Sequence, residues 1–155
     1  MRHGAWQLDM LLVEDDPNDI QLFQLAFSRS GRRAGSLQVV RDGQEAVDYL
    51  CGHPPFLQAE HRPPNIIVTD LKMDGMNGFE FLRWLHSHPD YAVIPTIVLS
   101  GSYLESDVRT AYQLGANAFF TKPHAVGELS AILHATLEFW SLAEKPQIER
   151  IFSLP

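Results

Sequence analysis

Apolar residues in this chain come in short runs that stop abruptly at polar ones. Leu8–Val13 runs into Glu14-Asp15-Asp16, Asn65–Thr69 into Asp70, Pro95–Leu99 into Ser100, and Ala118–Thr121 into Lys122-Pro123. A further run, Leu37–Val40, ends at Arg41. Short apolar runs without polar alternation predict strands buried on both faces, as in a parallel sheet. Ile66-Ile67-Val68-Thr69 is the richest in β-branched residues, which suits a central strand.

Between the runs the apolar period becomes helical. Asp16-Pro17 combines an N-cap with a proline at the first helical position, and Ile20, Phe23 and Phe27 then recur on one face until Gly31. Gly43–Cys51 predicts a short second helix, Phe79, Leu82 and Leu85 mark a third, and Val108, Ala111 and Tyr112 a fourth that Gly115 ends. A long last helix runs from Val126 to about Ala143. The segment from Gly52 to Pro64 carries four prolines and reads as a loop. Strands and helices alternating this regularly predict an α/β fold with right-handed crossovers and helices on both faces of the sheet. Five of each fit the flavodoxin-like doubly wound order 2-1-3-4-5.

Composition narrows the class. A chain of 155 residues predicts one domain, placed at 1–144 with 145–155 as a tail. A net charge of −7 with scattered basic residues argues against nucleic-acid binding. The single cysteine, Cys51, excludes an internal disulfide or a cysteine-rich zinc site. No apolar run is long enough to span a membrane, and Met1–Trp6 lacks the apolar core of a secretory leader, so the expected location is the cytoplasm.

In a doubly wound sheet the carboxyl ends of the strands face one crevice. That layer would gather the carboxylates of Glu14, Asp15 and Asp70, the hydroxyl of Ser100 and the ammonium of Lys122. A carboxylate can attack phosphorus, but neighbouring anions oppose the approach of a phosphate. A hard divalent cation such as Mg²⁺ removes that obstacle, after which catalysis is mostly positioning and charge neutralisation. Taken singly, each motif has a plainer reading as a turn or a cap. Lys122 is the exception, because a lysine at a strand end between apolar neighbours requires a nearby anion. A haloacid-dehalogenase-type phosphatase would need a second Asp two residues after Asp70, where this chain has Lys72. A P-loop or a flavin-phosphate cradle would need a glycine- or hydroxyl-rich loop where this chain has Glu14-Asp15-Asp16.

Leu12-Val13-Glu14-Asp15-Asp16-Pro17, Asp70-Leu71-Lys72-Met73, Met76-Asn77-Gly78, Ser100-Gly101 and Lys122-Pro123, in this order and each at a strand end, resemble the receiver domain of bacterial two-component response regulators. The resemblance spans Leu8 to about Leu142. Asp42–Leu50, the proline-rich loop, Ala111–Asn117 and Phe139-Trp140 are further similar to the single-domain receivers that serve bacterial phytochromes and related sensor kinases. The resemblance implies Asp70 as phosphoacceptor and a Mg²⁺ site from Glu14, Asp15, Asp70 and the Lys72 carbonyl. Asp15 would then bind directly and Glu14 through water. It also implies Lys122 and Ser100 as phosphoryl contacts, Ser100 with Phe119 as the switch, and a cis bond before Pro123. The implied donor is a sensor histidine kinase, with a phytochrome-type kinase as the specific candidate, and the chain itself is no metabolic enzyme. About a dozen residues follow the last helix, so no output domain is expected and signalling would run through protein–protein contact. The rival is a pseudo-receiver that binds partners without taking phosphate.

Two departures from the family pattern stand out. Asp74 occupies the position after Met73 where proline is usual, and Phe119 lacks the hydroxyl of the tyrosine common there. The last helix also carries surplus apolar surface. Leu129, Ile132, Leu133, Leu137 and Trp140 suffice to cover the sheet, leaving Ala135, Phe139 and Leu142 as a second stripe. With Ile148, Ile151, Phe152 and Leu154 of the tail, this stripe predicts a homodimer interface built around Phe139, Leu142, Ile148, Ile151 and Phe152, the alternative being a tail that folds back on its own domain.

Overall fold

The computed structural model describes residues 7–57 and 63–146. Five parallel strands form one sheet in the order β2-β1-β3-β4-β5: β1 Leu8–Val13, β2 Ala34–Val40, β3 Ile66–Thr69, β4 Thr96–Ser100 and β5 Ala118–Thr121. The helices are α1 Pro17–Ser28, α2 Gly43–Cys51, α3 Gly78–Ser87, α4 Pro89–Ala92, α5 Glu105–Gln113 and α6 Val126–Leu142. The doubly wound fold read from the sequence is therefore the fold observed.

Both faces of the sheet are covered, which explains the unbroken apolar runs. Met10, Leu12, Ile66, Val68, Ile97 and Leu99 point to one side and pack on Phe23 and Phe27 of α1 and Leu129, Leu133 and Leu137 of α6. Leu11, Val13 and Ile67 point to the other, against Val47 and Leu50 of α2 and Phe81 and Leu85 of α3. A third cluster joins Leu82, Val98 and Ala111, with Phe119 partly buried against it. Every residue of β3 and β4 is buried, as expected of central strands.

Local signals set the element ends. Asp16 caps α1 by accepting from the backbone N–H of Asn18 and Asp19 at 2.8 and 3.0 Å. Asp42 does the same for α2 through Glu45 at 2.8 Å, and Gly52 ends it with φ of 70°. Strand β2 starts three residues earlier than its apolar run, because the Asp9 carboxylate accepts from the Ser36 N–H and hydroxyl at 2.7 and 2.8 Å. The one-turn helix α4, absent from the sequence reading, starts on Pro89, where the His88 ring stacks on Trp84 at 4.2 Å. On α6, Ile132 and Trp140 are only half-buried while Thr136 is buried. Phe139 and Leu142 are 64% and 81% exposed, as the second stripe requires. Ile148, Ile151, Phe152 and Leu154 lie outside the described residues. No helix among the described residues is long and apolar enough to cross a membrane.

Candidate functional site

Parallel pairing brings the ends of four strands into one layer. Val13 lies opposite Thr69, Thr69 opposite Val98, and Ser100 opposite Thr121. The residues that follow or close these strands are Glu14 and Asp15, Asp70, Ser100 and Lys122, so the fold gathers the predicted set at the crevice mouth. The backbone keeps them there. Asp70 N–H donates to Val13 O at 3.0 Å, Glu14 N–H to Val40 O at 2.9 Å, and Lys122 N–H to Ser100 O at 2.8 Å.

Lys122 is the hub. Its Nζ lies 2.8 Å from Glu14 Oε2, 2.8 Å from Asp70 Oδ2 and 2.7 Å from Asp19 Oδ2. An ammonium has three protons to give, so all three are engaged. The peptide bond before Pro123 is not cis, contrary to the expectation. Among the described residues the only cis bond is Pro54–Pro55. The trans form keeps the usual preference of an X-Pro bond, and Lys122 reaches its carboxylates from it.

The charge balance is unfavourable as it stands. Burial, then the nearby Asp70 charge, push the Glu14 carboxyl up to about 7, against the opposing pull of Lys122. Burial also works against the Lys122 ammonium, but the hydrogen bonds it donates to Asp19, Asp70 and Glu14 outweigh that and hold the group protonated. Three carboxylates thus share one cation, and a further positive charge would be welcome. Every donor in the predicted metal set is a hard oxygen, the type that Mg²⁺ prefers, so the residues fit such a cation. As placed they do not converge on one point. Glu14 and Asp70 turn to Lys122, whereas the Asp15 carboxylate accepts from Asp74 N–H at 3.0 Å. Lys72 is exposed beside them.

The Asp70 carboxylate is buried, and its other oxygen accepts from Leu71 N–H at 2.7 Å. Ser100 is buried, and its hydroxyl oxygen accepts from Ser102 N–H at 3.2 Å. The Ser102 hydroxyl in turn donates to Asp107 in the first turn of α5. Phe119 lies half-buried in the apolar cluster under α5.

Two participants escaped the sequence reading. Asp19 looked like one more acidic residue in the first turn of a helix, where negative charge is commonplace. Its usable signal was position, because α1 starts at the mouth of the crevice and Asp19 follows the cap by three residues. The second is the backbone N–H of Asp74. Proline would have no hydrogen to donate there, so this departure from the family pattern supplies Asp15 with a bond. The Asp74 residue itself is exposed.

Comparisons with known proteins bear on the family and the fold. Residues 10–134 match the response regulator receiver domain family. The response regulator Rcp1 of Synechocystis sp. is 33% identical over 132 residues, which cover 84% of this chain and 87% of Rcp1. Rcp1 has also been solved in a Mn²⁺-bound form, similar to this chain with a TM-score of 0.78 at 29% identity over 90% of this chain and 99% of the other. The phosphorylated cyanobacterial phytochrome response regulator RcpA matches at a TM-score of 0.81 and 34% identity, covering 91% of this chain and 99% of RcpA. The bacteriophytochrome response regulator RtBRR matches at 0.72 and 34% identity, covering 95% and 89%. With strand order, strand-end residues and family match in agreement, the chain belongs to the response regulator receiver domain family.

Proposed function

We propose that this protein accepts a phosphoryl group on Asp70 from a phosphohistidine of a sensor histidine kinase and signals by changing what it binds. The observation that carries this reading is the Lys122 ammonium held 2.8 Å from the buried Asp70 carboxylate at the strand ends. In the transfer an Asp70 oxygen forms a bond to phosphorus as the phosphorus–nitrogen bond of the donor breaks. The electron pair stays on the leaving imidazole, which takes up a proton. Lys122 pairs with a phosphoryl oxygen, and the Ser100 hydroxyl donates to another. Mg²⁺ held by Glu14, Asp15, Asp70 and the Lys72 carbonyl would neutralise the charge of the incoming group. Rcp1 was solved with Mn²⁺ and RcpA phosphorylated, and both likenesses support the reading. The likeness to phytochrome regulators favours a phytochrome-type kinase as donor.

The test is incubation with acetyl phosphate and Mg²⁺, followed by intact-mass measurement. One added phosphoryl mass is expected, and EDTA should prevent it. A chain that stays unlabelled under both conditions would instead be a phosphorylation-independent interaction module.

The switch reading rests on a hydrogen-bonded chain. Ser100 drawn toward a phosphoryl group must give up its bond to Ser102 N–H, and Ser102 is tied to Asp107 of α5. Its departure frees room that the half-buried Phe119 can fill, so the α5–β5 surface changes. Coupling of this kind is typically worth roughly 5–150-fold in affinity. Ser100→Ala should still take label, while the gain in partner affinity on labelling falls to within about threefold. A labelled Ser100→Ala protein that binds as the labelled parent does would remove this route.

The exposed stripe on α6 supports a homodimer in which a second copy covers Phe139 and Leu142. Phe139→Glu, and separately deletion of Lys145 to Pro155, should shift the species measured by light scattering from dimer toward monomer. A parent protein that is monomeric at micromolar concentration would contradict this.

A further inference from the structure

The three partners of Lys122 are not equally easy to release. The Glu14 and Asp70 side chains are 4% and 8% exposed, whereas Asp19 is 38% exposed. A phosphoryl group on Asp70 brings oxygens that need Lys122, whose three protons are already engaged. Giving up Glu14 would strand a buried carboxylate unless a divalent cation took it over, a costly exchange wherever the metal does not replace the ammonium. Giving up Asp19 returns a carboxylate to water at the rim, where an ion pair is worth little.

The geometry points to Asp19 as a displaceable tether of Lys122, a positioning residue that holds the ammonium beside Asp70 before phosphorylation and competes with the phosphoryl group for it afterwards. This rests on the phosphoacceptor reading of Asp70, and it concerns the balance between the two states of that site. The tether also joins two elements. Lys122 follows β5, while Asp19 stands in the first turn of α1, so phosphorylation would loosen α1 from the loop that leads into α6. Asp19 therefore sets how tightly the site holds a phosphoryl group, through a residue that it shares with that group.

The readout is binding of beryllofluoride, a phosphoryl mimic, in the presence of Mg²⁺, followed by tryptophan fluorescence or by NMR. Asp19→Asn removes the competing charge and keeps the shape, so it should bind the mimic about 3- to 5-fold more tightly than the parent, the upper scale of a partly exposed ion pair. Asp19→Glu restores a carboxylate and should return affinity to within about twofold of the parent. Equal or weaker binding by Asp19→Asn overturns the competition. Metal-free protein gives the second arm, a thermal double-mutant cycle between Asp19→Asn and Lys122→Met. Midpoint shifts that fail to add establish the tether, and additive shifts overturn it. A parent that does not bind beryllofluoride overturns the phosphoacceptor reading and the competition with it, while the cycle still decides whether Asp19 holds Lys122.

Discussion

Asp70→Asn protein incubated with acetyl phosphate and Mg²⁺ is expected to take up no phosphoryl label, while remaining folded and at least as stable as the parent. The first half follows from chemistry. An amide oxygen carries no negative charge and forms no acyl phosphate, so the loss should be complete rather than partial. The second half follows from the charge balance at the crevice. Glu14, Asp19 and Asp70 share the single ammonium of Lys122, and Asp70 is one of the influences that push the Glu14 carboxyl up to about 7. Removing the Asp70 charge leaves Lys122 with two carboxylates and relieves repulsion on a buried Glu14. The amide keeps an oxygen able to accept from Leu71 N–H, which the carboxylate now does at 2.7 Å. A thermal midpoint at or above that of the parent therefore separates lost chemistry from lost structure. Full labelling of the Asp70→Asn protein would end the assignment. A large drop in midpoint would show that the Asp70–Lys122 pair holds the fold more than it serves the site.

What could be read from residue order alone was whatever leaves a periodic or a positional trace. Strands β1, β3 and β4 are apolar on both faces because α1 and α6 cover one side of the sheet and α2 and α3 the other, so each shows as an unbroken run. The first half of β2 left no trace. Ala34–Ser36 is held by the Asp9 carboxylate and by pairing with Leu8, neither of which depends on apolar side chains. The single turn of α4 is too short to establish a period, and a proline at its start reads as a stop to what precedes it. At the candidate site the strand-end residues were visible because the fold class fixes where strand ends go. Asp19 and the Asp74 N–H were not, for opposite reasons. One is a charged side chain among several with nothing in its spacing to single it out, and the other is a backbone atom that every residue but proline carries. The bond before Pro123 was expected to be cis from the family likeness and is trans, and Lys122 reaches Asp70 with the bond in that form.

The largest effect on stability is expected from the smallest change, Gly78→Ala. Gly78 opens α3 directly against the strand end that carries Asp70. A Cβ at this position would stand 2.0 Å from the Asp70 carbonyl oxygen and 2.8 Å from the Leu71 Cα, far inside the contact distance of such atoms. Both obstacles are backbone, so no side chain can rotate away to make room. Relief requires α3 to retreat, and α3 buries Phe81 and Leu82 in two of the core clusters. It also breaks a local anchor, since Gly78 N–H donates to Leu71 O at 3.0 Å while Asn77 caps the helix through Glu80 N–H at 3.0 Å. Alanine is the better helix former by about 1 kcal/mol, which cannot offset overpacking of this severity. The expected loss is about 3 kcal/mol or more in urea unfolding, with reduced labelling of the fraction that stays folded, because the displaced backbone belongs to Asp70 itself. Gly127, in the first turn of α6, has nothing within 4 Å of where its Cβ would stand apart from its chain neighbours and its own helix backbone. Gly127→Ala should therefore stabilise the protein by about 0.5 kcal/mol or more and leave labelling unchanged. Two identical substitutions at helix starts would then move stability in opposite directions. If Gly78→Ala unfolds within about 0.5 kcal/mol of the parent, close approach of α3 to Asp70 is not what holds this strand end in place.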